Sequence, residues 1–334
     1  MAACVPRQVV SNRDLGYLIP DDEIDFTIRN IGVEQRRIAD PGCCASDLCF
    51  AAAQRLMQDN DIAPSSIDVL LFMSQTADYR IPATAPLLQH RLGLPTSTMA
   101  MDLSLGCSGW VYALSAAYAY AAQGLRVLLL DGETFSKIVN RFDKVDWPLY
   151  GDAGPATLVE AGPFGESLFM LHSDGSGRDA VIVSDGMRNP VTANSLAELK
   201  TANGDIHSGL EVYMDGMEVF NFAMKRVPKS IKDLAAEGGF TLDEVDHLVF
   251  HQANRFMTDF FVKKLKFPPE RVPYCLDRYG NTSSASVPLT MVSELPSRLN
   301  DGARLVLSSF GAGLSWAAAS IIMQRCSFSP VIEY

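Results

Sequence analysis

The chain has 334 residues, 48% apolar and 20% charged, which is the composition of a globular protein with a sizeable core. Its formal net charge of −11 argues against binding to nucleic acid or to an anionic membrane through bulk charge. Its seven cysteines lack the paired spacing of a zinc site, which predicts no bound metal and a reducing, cytoplasmic location.

The first hundred residues alternate between helical and extended patterns. Residues 46–60 carry apolar side chains at helical spacing and predict an amphipathic helix. A continuous apolar run from Ile67 to Met73 predicts a strand that is buried on both faces. Residues 82–92 predict a second helix, because Pro82 suits a first helical turn.

A single cysteine, Cys107, follows Gly106 and precedes a run of small and apolar residues. This pattern predicts a buried helix whose first turn carries Cys107. Unpaired backbone N–H groups and the helix dipole at that position favour the thiolate, which is the nucleophilic form of cysteine. A lone cysteine is more often buried and inert, so a catalytic role for Cys107 depends on partners elsewhere in the chain.

The apolar stretch that continues to Leu130 is interrupted at Gln123, Gly124 and Arg126. It therefore predicts a helix, a glycine stop and a buried strand over 125–130 instead of a membrane span. Another short strand is expected over 156–159. The segment 161–210 is rich in glycine and has weak periodicity, so it predicts a loop-rich excursion with one or two strands, such as 181–183.

The second half of the chain repeats the order of predicted elements in the first half. In each half a strand is followed by a long connecting segment, a glycine turn, a helix and a second strand. The matched segments are 67–73 with 245–251, 106–109 with 280–283, and 125–130 with 303–307. Such a duplication predicts two similar α/β halves about a pseudo-twofold axis, with one central site at the strand ends. We place the division between residues 1–165 and 166–334.

Two further side chains occupy positions that the paired halves would bring to Cys107. His251 follows a predicted strand over 248–250, and Asn281 is expected to begin the helix of the second half. Taken alone, His251 is better explained as an exposed or capping histidine, and Asn281 as a turn or N-cap residue. The duplication is what favours a Cys–His–Asn site.

Four motifs, in this order, resemble those of the β-ketoacyl-acyl-carrier-protein synthase III family. They are Gly106-Cys107-Ser108-Gly109, His251-Gln252-Ala253-Asn254, Gly280-Asn281-Thr282-Ser283-Ser284-Ala285-Ser286 and Phe310-Gly311-Ala312-Gly313. The resemblance extends over nearly the whole chain. It implies a thiolase-like fold, with two duplicated halves in a five-layered α-β-α-β-α arrangement, and a homodimer.

The resemblance also implies an acyltransferase of fatty acid biosynthesis that catalyses a Claisen condensation. An acyl group would move from an acyl-coenzyme A to Cys107, and malonyl on an acyl carrier protein would then decarboxylate and attack it. The product is a 3-oxoacyl thioester. Coenzyme A enters as part of a substrate, and no separate cofactor is implied.

The charges that develop in this reaction suggest a role for each motif. Cys107 is the expected nucleophile, activated by His251 or by the helix start. N–H groups of Cys107 and of the Gly311-Ala312-Gly313 turn suit the oxyanion. His251 and the Asn281 amide suit the enolate, because neither must change its own charge to donate. Phe310 is expected to line the site and to exclude water from it.

The resemblance implies that Phe26, Lys144 and Asn254 contact coenzyme A and that Ile81 closes the acyl pocket, often from the other subunit. Phe26 replaces a tryptophan of well-known members, Lys144 an arginine, and Ala312 a glycine. Coenzyme A binding is therefore expected to be weaker or differently arranged, and a carrier-bound acyl donor stays an alternative. The first strand of the family is expected to be mostly absent.

The predicted helix after His251 carries Arg255, Lys263 and Lys266 within one angular stripe. A solvated helix face explains such a stripe equally simply. Near a catalytic centre it also suits the docking of an acidic carrier protein, despite the negative net charge of the chain.

Other activities share this residue set. A type III polyketide synthase also uses Cys, His and Asn, and extends a coenzyme A starter repeatedly. A non-condensing or secondary-metabolite acyltransferase, or an inactive partner subunit, is a further alternative. The residues of the His251 and Asn281 motifs argue against the polyketide synthase. The intact Cys–His–Asn set argues against an inactive subunit.

Overall fold

The computed structural model describes residues 1–162, 165–201, 205–324 and 326–334. The strands of this part are, in chain order, β1 (Ala2–Val5), β2 (Val9–Ser11), β3 (Gln35–Arg37), β4 (Val69–Met73), β5 (Met99–Leu103), β6 (Val127–Asp131), β7 (Gly154–Val159), β8 (Leu168–Ser173), β9 (Val181–Ile182), β10 (Leu199–Lys200), β11 (Ile206–His207), β12 (Tyr213–Met214), β13 (His247–Phe250), β14 (Ala303–Gly311), β15 (Ser315–Met323) and β16 (Ile332–Glu333). Its α-helices are α1 (Asp21–Ile31), α2 (Ala45–Asp59), α3 (Thr84–Arg91), α4 (Gly109–Ala121), α5 (Gly216–Glu237), α6 (Arg255–Leu265), α7 (Leu276–Tyr279) and α8 (Ser286–Glu294).

The first sheet has the strand order β16-β1-β7-β6-β4-β5. β4 runs parallel to β5 and to β6, whereas β7 is antiparallel to β6. The apolar runs of β4 and β6 are buried along their whole length, because helices cover both faces of this part of the sheet. The strands predicted over 67–73, 125–130 and 156–159 are confirmed, with small shifts at their ends, as are the helices α2 and α3.

The second sheet has the order β13-β14-β15-β8. β13 is parallel to β14, and β14 pairs antiparallel with β15 across the turn at 312–314. The prediction of a loop-rich excursion missed β8, whose short apolar run lies beside glycine-rich sequence. In the same region, 181–183 forms only the two-residue strand β9. Residues 163–164 and 202–204 of the predicted excursion lie outside the described residues.

The helices and sheets form five layers. α2 and α3 cover the outer face of the first sheet, α4 and α8 lie between the sheets, and α5 and α6 cover the second sheet. A strand, a central helix and a parallel strand occur in each half, as β4, α4, β6 and as β13, α8, β14. The predicted α-β-α-β-α arrangement of two duplicated halves is therefore confirmed.

The predicted division at residue 165 falls between β7 of the first sheet and β8 of the second. The short strand β16 returns to the first sheet and pairs with β1. The expectation that the first strand is mostly absent is wrong, since β1 is buried and pairs with β7 and β16 on its two sides.

The apolar stretch at 111–130 consists of most of α4, a turn at Gly124 and most of β6. Gly124 has φ of 83°, in the left-handed region that ends a helix most easily with glycine. Within the described ranges, no helix combines the length and the apolarity that crossing a bilayer requires.

Candidate active site

Cys107 lies in the link between β5 and α4, just before α4 begins at Gly109. The prediction that it belongs to the first helical turn is wrong by a small margin, because Ser108 is the N-cap residue. Gly106 allows the turn after β14 to come close, since a Cβ at position 106 would lie 2.8 Å from the Ala312 Cβ. Cys107 therefore lies where the two halves of the chain meet.

Several groups surround the thiol. Its Sγ is 3.7 Å from the Ser283 Oγ, and a Cβ at Gly311 would lie only 2.9 Å from it. The backbone N–H groups of Cys107 and Ala312 are within hydrogen-bonding reach of the sulfur. These two N–H groups lie near the place where an acyl group on Cys107 would develop an oxyanion.

Burial raises the pKa of the Cys107 thiol to about 11, although Ser283 and the two backbone N–H groups favour the thiolate. The expectation that the helix start lowers this pKa is therefore wrong. The reason is that desolvation by the enclosing chain outweighs the donors. Cys107 rests as a neutral thiol, so a nucleophilic role for it would require a base at the moment of attack.

His251 directly follows β13 and is buried. Its Nδ1 lies 2.7 Å from the Ser286 Oγ, and its backbone N–H donates to the Ser308 carbonyl at 2.7 Å. Burial lowers the pKa of the imidazole to about 3, opposed in part by a backbone hydrogen bond with Ser283. His251 is thus neutral at physiological pH, with one ring nitrogen able to accept a proton and one able to donate.

Asn281 follows Gly280, whose φ of 69° lies in the left-handed region that favours glycine. Its Oδ1 accepts a hydrogen bond from the Ser283 N–H at 2.9 Å, and its Nδ2 is 3.4 Å from the Ala253 carbonyl oxygen. The side-chain oxygen is thus engaged, which leaves the NH2 as the group that can donate to a ligand. The prediction that Asn281 begins a helix is wrong, because α8 starts only at Ser286 after a 3-10 turn.

Ser283 joins the three predicted residues at one place. Its hydroxyl approaches the Cys107 thiol, its backbone hydrogen-bonds with His251, and its N–H donates to Asn281. Its φ of 52° is uncommon for a residue other than glycine. Sequence reasoning missed Ser283 and Ser286 as site residues, and the three serines of the Asn281 motif were the available signal.

The turn between β14 and β15 is held beside Cys107 by two hydroxyls. The Ser315 Oγ donates to the Ala312 carbonyl at 2.8 Å and lies 2.7 Å from the Ser108 Oγ. Gly313 has φ of 136°, which a side chain would strain. The position of the Ala312 N–H is therefore determined by residues of both halves.

Phe310 forms an apolar side of this site. It is buried, and its ring meets the His251 ring edge-on, with the centroids 5.6 Å apart. On its other side it packs against Phe261 of α6, also at 5.6 Å. The exclusion of water by Phe310 stays a prediction.

The residues predicted to contact coenzyme A lie at or near the surface. Phe26 on α1 is 61% exposed, and Lys144 is exposed as well. Asn254 is the N-cap of α6, where its Oδ1 accepts from the Met257 N–H at 2.8 Å, so its oxygen already has a partner. Ile81 is 89% exposed, which suits a contribution to another subunit better than to its own enclosed site.

The predicted basic stripe lies on one face of the molecule. Arg255, Lys263 and Lys266 line a surface cavity of about 710 Å3 beside α6. Arg255 differs from the two lysines because its guanidinium pairs with Asp259 at 2.9 Å and lies over the Tyr274 ring. The charge available to an acidic partner therefore comes mainly from the two lysines.

Comparison with known proteins identifies the family. A model of 3-oxoacyl-(acyl-carrier-protein) synthase III matches residues 101–177, and the C-terminal model of the same family matches residues 235–323. A β-ketoacyl-(acyl-carrier-protein) synthase III of Symbiobacterium thermophilum is 36% identical over 96% of both chains. One of Rhodopirellula baltica is 34% identical over 94% of both. The chain belongs to the 3-oxoacyl-(acyl-carrier-protein) synthase III family.

Solved structures agree with this membership. A crystal structure of the 3-oxoacyl-(acyl-carrier-protein) synthase of Burkholderia xenovorans matches with a TM-score of 0.93 and 37% identity, covering 100% of this chain and 95% of that one. A priming β-ketosynthase from a polyketide pathway matches with a TM-score of 0.84 and 26% identity, over 97% and 94% of the two chains. The predictions of a thiolase-like fold and of a condensing acyltransferase are confirmed, and a type III polyketide synthase is not favoured.

Proposed function

We propose that the protein transfers an acyl group from an acyl-coenzyme A to Cys107 and condenses it with malonyl-acyl-carrier-protein to give a 3-oxoacyl thioester. Family membership supports this reaction type. The observation that carries the proposal is the meeting of Cys107, His251 and Asn281 around Ser283, with the Ala312 N–H beside the sulfur.

In the first half-reaction the Cys107 sulfur bonds to the acyl carbon, and the bond from that carbon to the coenzyme A sulfur breaks. The thiol proton leaves as the bond forms, and neutral His251 is the base available to take it. The proton then passes to the departing coenzyme A thiolate. The N–H groups of Cys107 and Ala312 stabilise the oxyanion without first having to reorganise.

In the second half-reaction the malonyl carboxylate leaves as carbon dioxide. The electron pair of the broken bond forms an enolate on the carrier-bound thioester, held by His251 and by the Asn281 NH2. The enolate carbon then attacks the acyl carbonyl on Cys107, and the bond from that carbon to the cysteine sulfur breaks. The sulfur leaves as a thiolate, which takes up a proton from water. Neutral donors suit this step, because a positively charged His251 would be buried in the protein before substrate binds, and burying that charge is costly.

We also propose that this reaction takes place in a homodimer within a reducing compartment. Ile81 and Tyr79 are exposed in the segment that leads into α3, and the first N–H groups of α3 donate to Asp102 of the edge strand β5, which supports a subunit contact at this edge of the first sheet. All seven cysteines are free, which supports the compartment.

The experiment that tests the proposal mixes the purified protein with acyl-coenzyme A, with and without malonyl-acyl-carrier-protein. Mass spectrometry should show the acyl group on Cys107 in the first mixture, and a 3-oxoacyl carrier in the second. Acylation without condensation would indicate an acyltransferase that does not condense. Acylation that persists in Cys107→Ala would refute the nucleophile.

A further inference from the structure

Two carboxyl groups lie buried behind the candidate site, and the proposed reaction uses neither of them. Asp131 is the last residue of β6, and Glu133 follows two positions later. Both residues are fully buried, as is Ser284, which belongs to the turn after Asn281. Charged side chains are rarely fully buried without a partner, so this cluster calls for an explanation.

The Ser284 hydroxyl lies within hydrogen-bonding distance of both carboxyl groups. The Ser284 Oγ lies 2.7 Å from the Asp131 Oδ1 and 3.1 Å from the Glu133 Oε1. A serine hydroxyl has a single proton to donate, so it cannot donate to both at once. Two neighbouring carboxylates in a buried place would also repel each other, and this repulsion favours the protonation of one.

The remaining contacts decide which carboxyl carries the proton. Glu133 accepts from the Gln75 N–H at 3.0 Å and from the Thr76 hydroxyl at 2.7 Å, and both bonds favour its ionised form. The Asp131 Oδ2 has no hydrogen-bond partner among the described residues. An unpartnered oxygen is costly for a buried carboxylate and less so for a neutral carboxyl.

Burial and neighbouring charges also favour protonation of this pair of carboxyls. Burial raises the pKa of Glu133 to about 7 and raises that of Asp131 well above its usual range, with Glu133 adding to the rise at Asp131. The other titratable groups that face the pair are the carboxyl of Asp152 and the thiols of Cys49 and Cys107. Any negative charge on these groups would favour protonation of the pair further.

We propose that Asp131 is protonated at neutral pH and donates to Ser284, which in turn donates to the Glu133 carboxylate, and that this chain of hydrogen bonds holds the turn carrying Asn281 against Cys107. All three are positioning residues, because they act through that turn. The inference deepens the proposed function and rests on it, since the decarboxylation step is the one that senses the Asn281 amide.

The location of the cluster explains how it can position the site. β6 belongs to the first half, whereas Ser284 is the immediate neighbour of Ser283 in the second half. Ser283 has a left-handed backbone, and its N–H is the group that engages the Asn281 oxygen. Loss of the Ser284 anchor would therefore release the Asn281 donor more than the Cys107 nucleophile.

The test compares Asp131→Asn with Ser284→Ala and Glu133→Gln. The asparagine is neutral and its NH2 can donate to Ser284, so Asp131→Asn should keep both half-reactions within about twofold of the wild type. Ser284→Ala should acylate Cys107 within about twofold of the wild type but release carbon dioxide from malonyl carrier at least about tenfold more slowly. Glu133→Gln should lose more activity than Asp131→Asn, because an amide NH2 cannot accept from the donors that Glu133 holds.

Infrared spectroscopy provides a readout that a merely structural role would not change. At pH 8, above the pKa of about 7 of Glu133, the difference spectrum between the wild type and Asp131→Asn should contain the carbonyl stretch of one protonated carboxyl. Other buried carboxyls with raised pKa values, such as that of Asp146, contribute equally to both spectra and cancel. Absence of that band, or a decarboxylation loss in Asp131→Asn as large as in Ser284→Ala, would overturn the inference. A wild type that acylates but never condenses would refute the proposed function, while the infrared result would still decide the protonation of Asp131.

Discussion

At the scale of single residues, enclosure rather than the helix start sets the protonation states of the site. Burial raises the pKa of Cys107 and lowers that of His251, so the resting pair is a neutral thiol and a neutral imidazole. A neutral pair avoids the desolvation cost of a buried ion pair. The proposed nucleophile, the Cys107 thiolate, would therefore form during the reaction and would not be present in the resting protein.

The first prediction concerns the reactivity of Cys107 toward iodoacetamide. Because a thiol pKa near 11 leaves little thiolate at neutral pH, alkylation of Cys107 should rise about tenfold per pH unit from pH 7 to 10. Peptide mass spectrometry at each pH gives the rate, with Cys107→Ala as the control for the other cysteines. A rate that levels off below pH 8 would contradict this prediction and would indicate the lowered pKa of Cys107 expected from the sequence.

The second prediction separates the two half-reactions by mutation. Asn281→Ala should acylate Cys107 almost normally, and His251→Ala more slowly, because only His251 can take the thiol proton. Both variants should accumulate acyl-enzyme and release carbon dioxide from malonyl carrier about 10²–10³ times more slowly, since each lacks an enolate donor. The double variant should lose much less than the product of the single losses.

The matched control is Asn281→Asp, which keeps the side-chain oxygen for the Ser283 N–H but removes the NH2. It should lose decarboxylation as Asn281→Ala does. Wild-type release of carbon dioxide by either variant would show that Asn281 is only a turn residue.

At the scale of secondary-structure elements, α6 combines a buried and an exposed face with different tasks. Phe261 packs inward against Phe310 at the candidate site. Lys263 lies on the exposed face and Lys266 follows as the left-handed C-cap just beyond the helix, and both line the surface cavity. Docking of an acidic carrier on this face would bring its thioester close to the buried side of the same helix. Docking at α6 stays a prediction from the sequence that this geometry supports.

The third prediction tests this surface by reversing its charge. Lys263→Glu with Lys266→Glu should raise the Michaelis constant for malonyl-acyl-carrier-protein and flatten its dependence on salt, because steering by these charges is lost. Acylation from free acyl-coenzyme A should change little. Lys225→Glu with Lys232→Glu makes the same change of charge at two exposed positions on α5 and serves as the control. Equal losses in both half-reactions would indicate misfolding instead.

At the scale of the whole molecule, the first sheet ends in an edge strand, β5, with apolar side chains nearby. Ile81 is 89% exposed, Tyr79 60% and Met99 39%. An exposed strand edge beside such side chains invites pairing with another chain, and a closed twofold contact would cover both copies at once. An Ile81 that reaches a neighbouring site would make the dimer necessary for activity.

The fourth prediction is that light scattering gives roughly twice the chain mass of 36.4 kDa at micromolar concentration. Ile81→Glu should shift this mass toward the monomer and lower activity, because a charge would be buried in the contact. Val9→Glu, at a side chain that is 46% exposed on β2, is the control and should leave the dimer intact. A fully active monomer would contradict the prediction.

The sequence by itself determined the family, the duplication and most of the central elements. The order of the motifs can be read from the sequence alone. The continuous apolar runs of β4 and β6 also predict buried strands before their partner strands are known. Cys107, His251 and Asn281 could be proposed together because the duplication relates their positions. β8 could not be predicted, since its pairing with β15 comes from residues far away in sequence.

Only the tertiary structure decided the protonation states and the links between the halves. A pKa depends on what encloses a group, and the enclosure of Cys107 comes from Ser283 and from the turn after β14, both distant in sequence. The contact of Ser284 with Asp131 likewise joins positions that are 153 residues apart. Local sequence favours a thiolate at a helix start, but burial is a property of the folded chain, and here its effect on the pKa of Cys107 is the larger one.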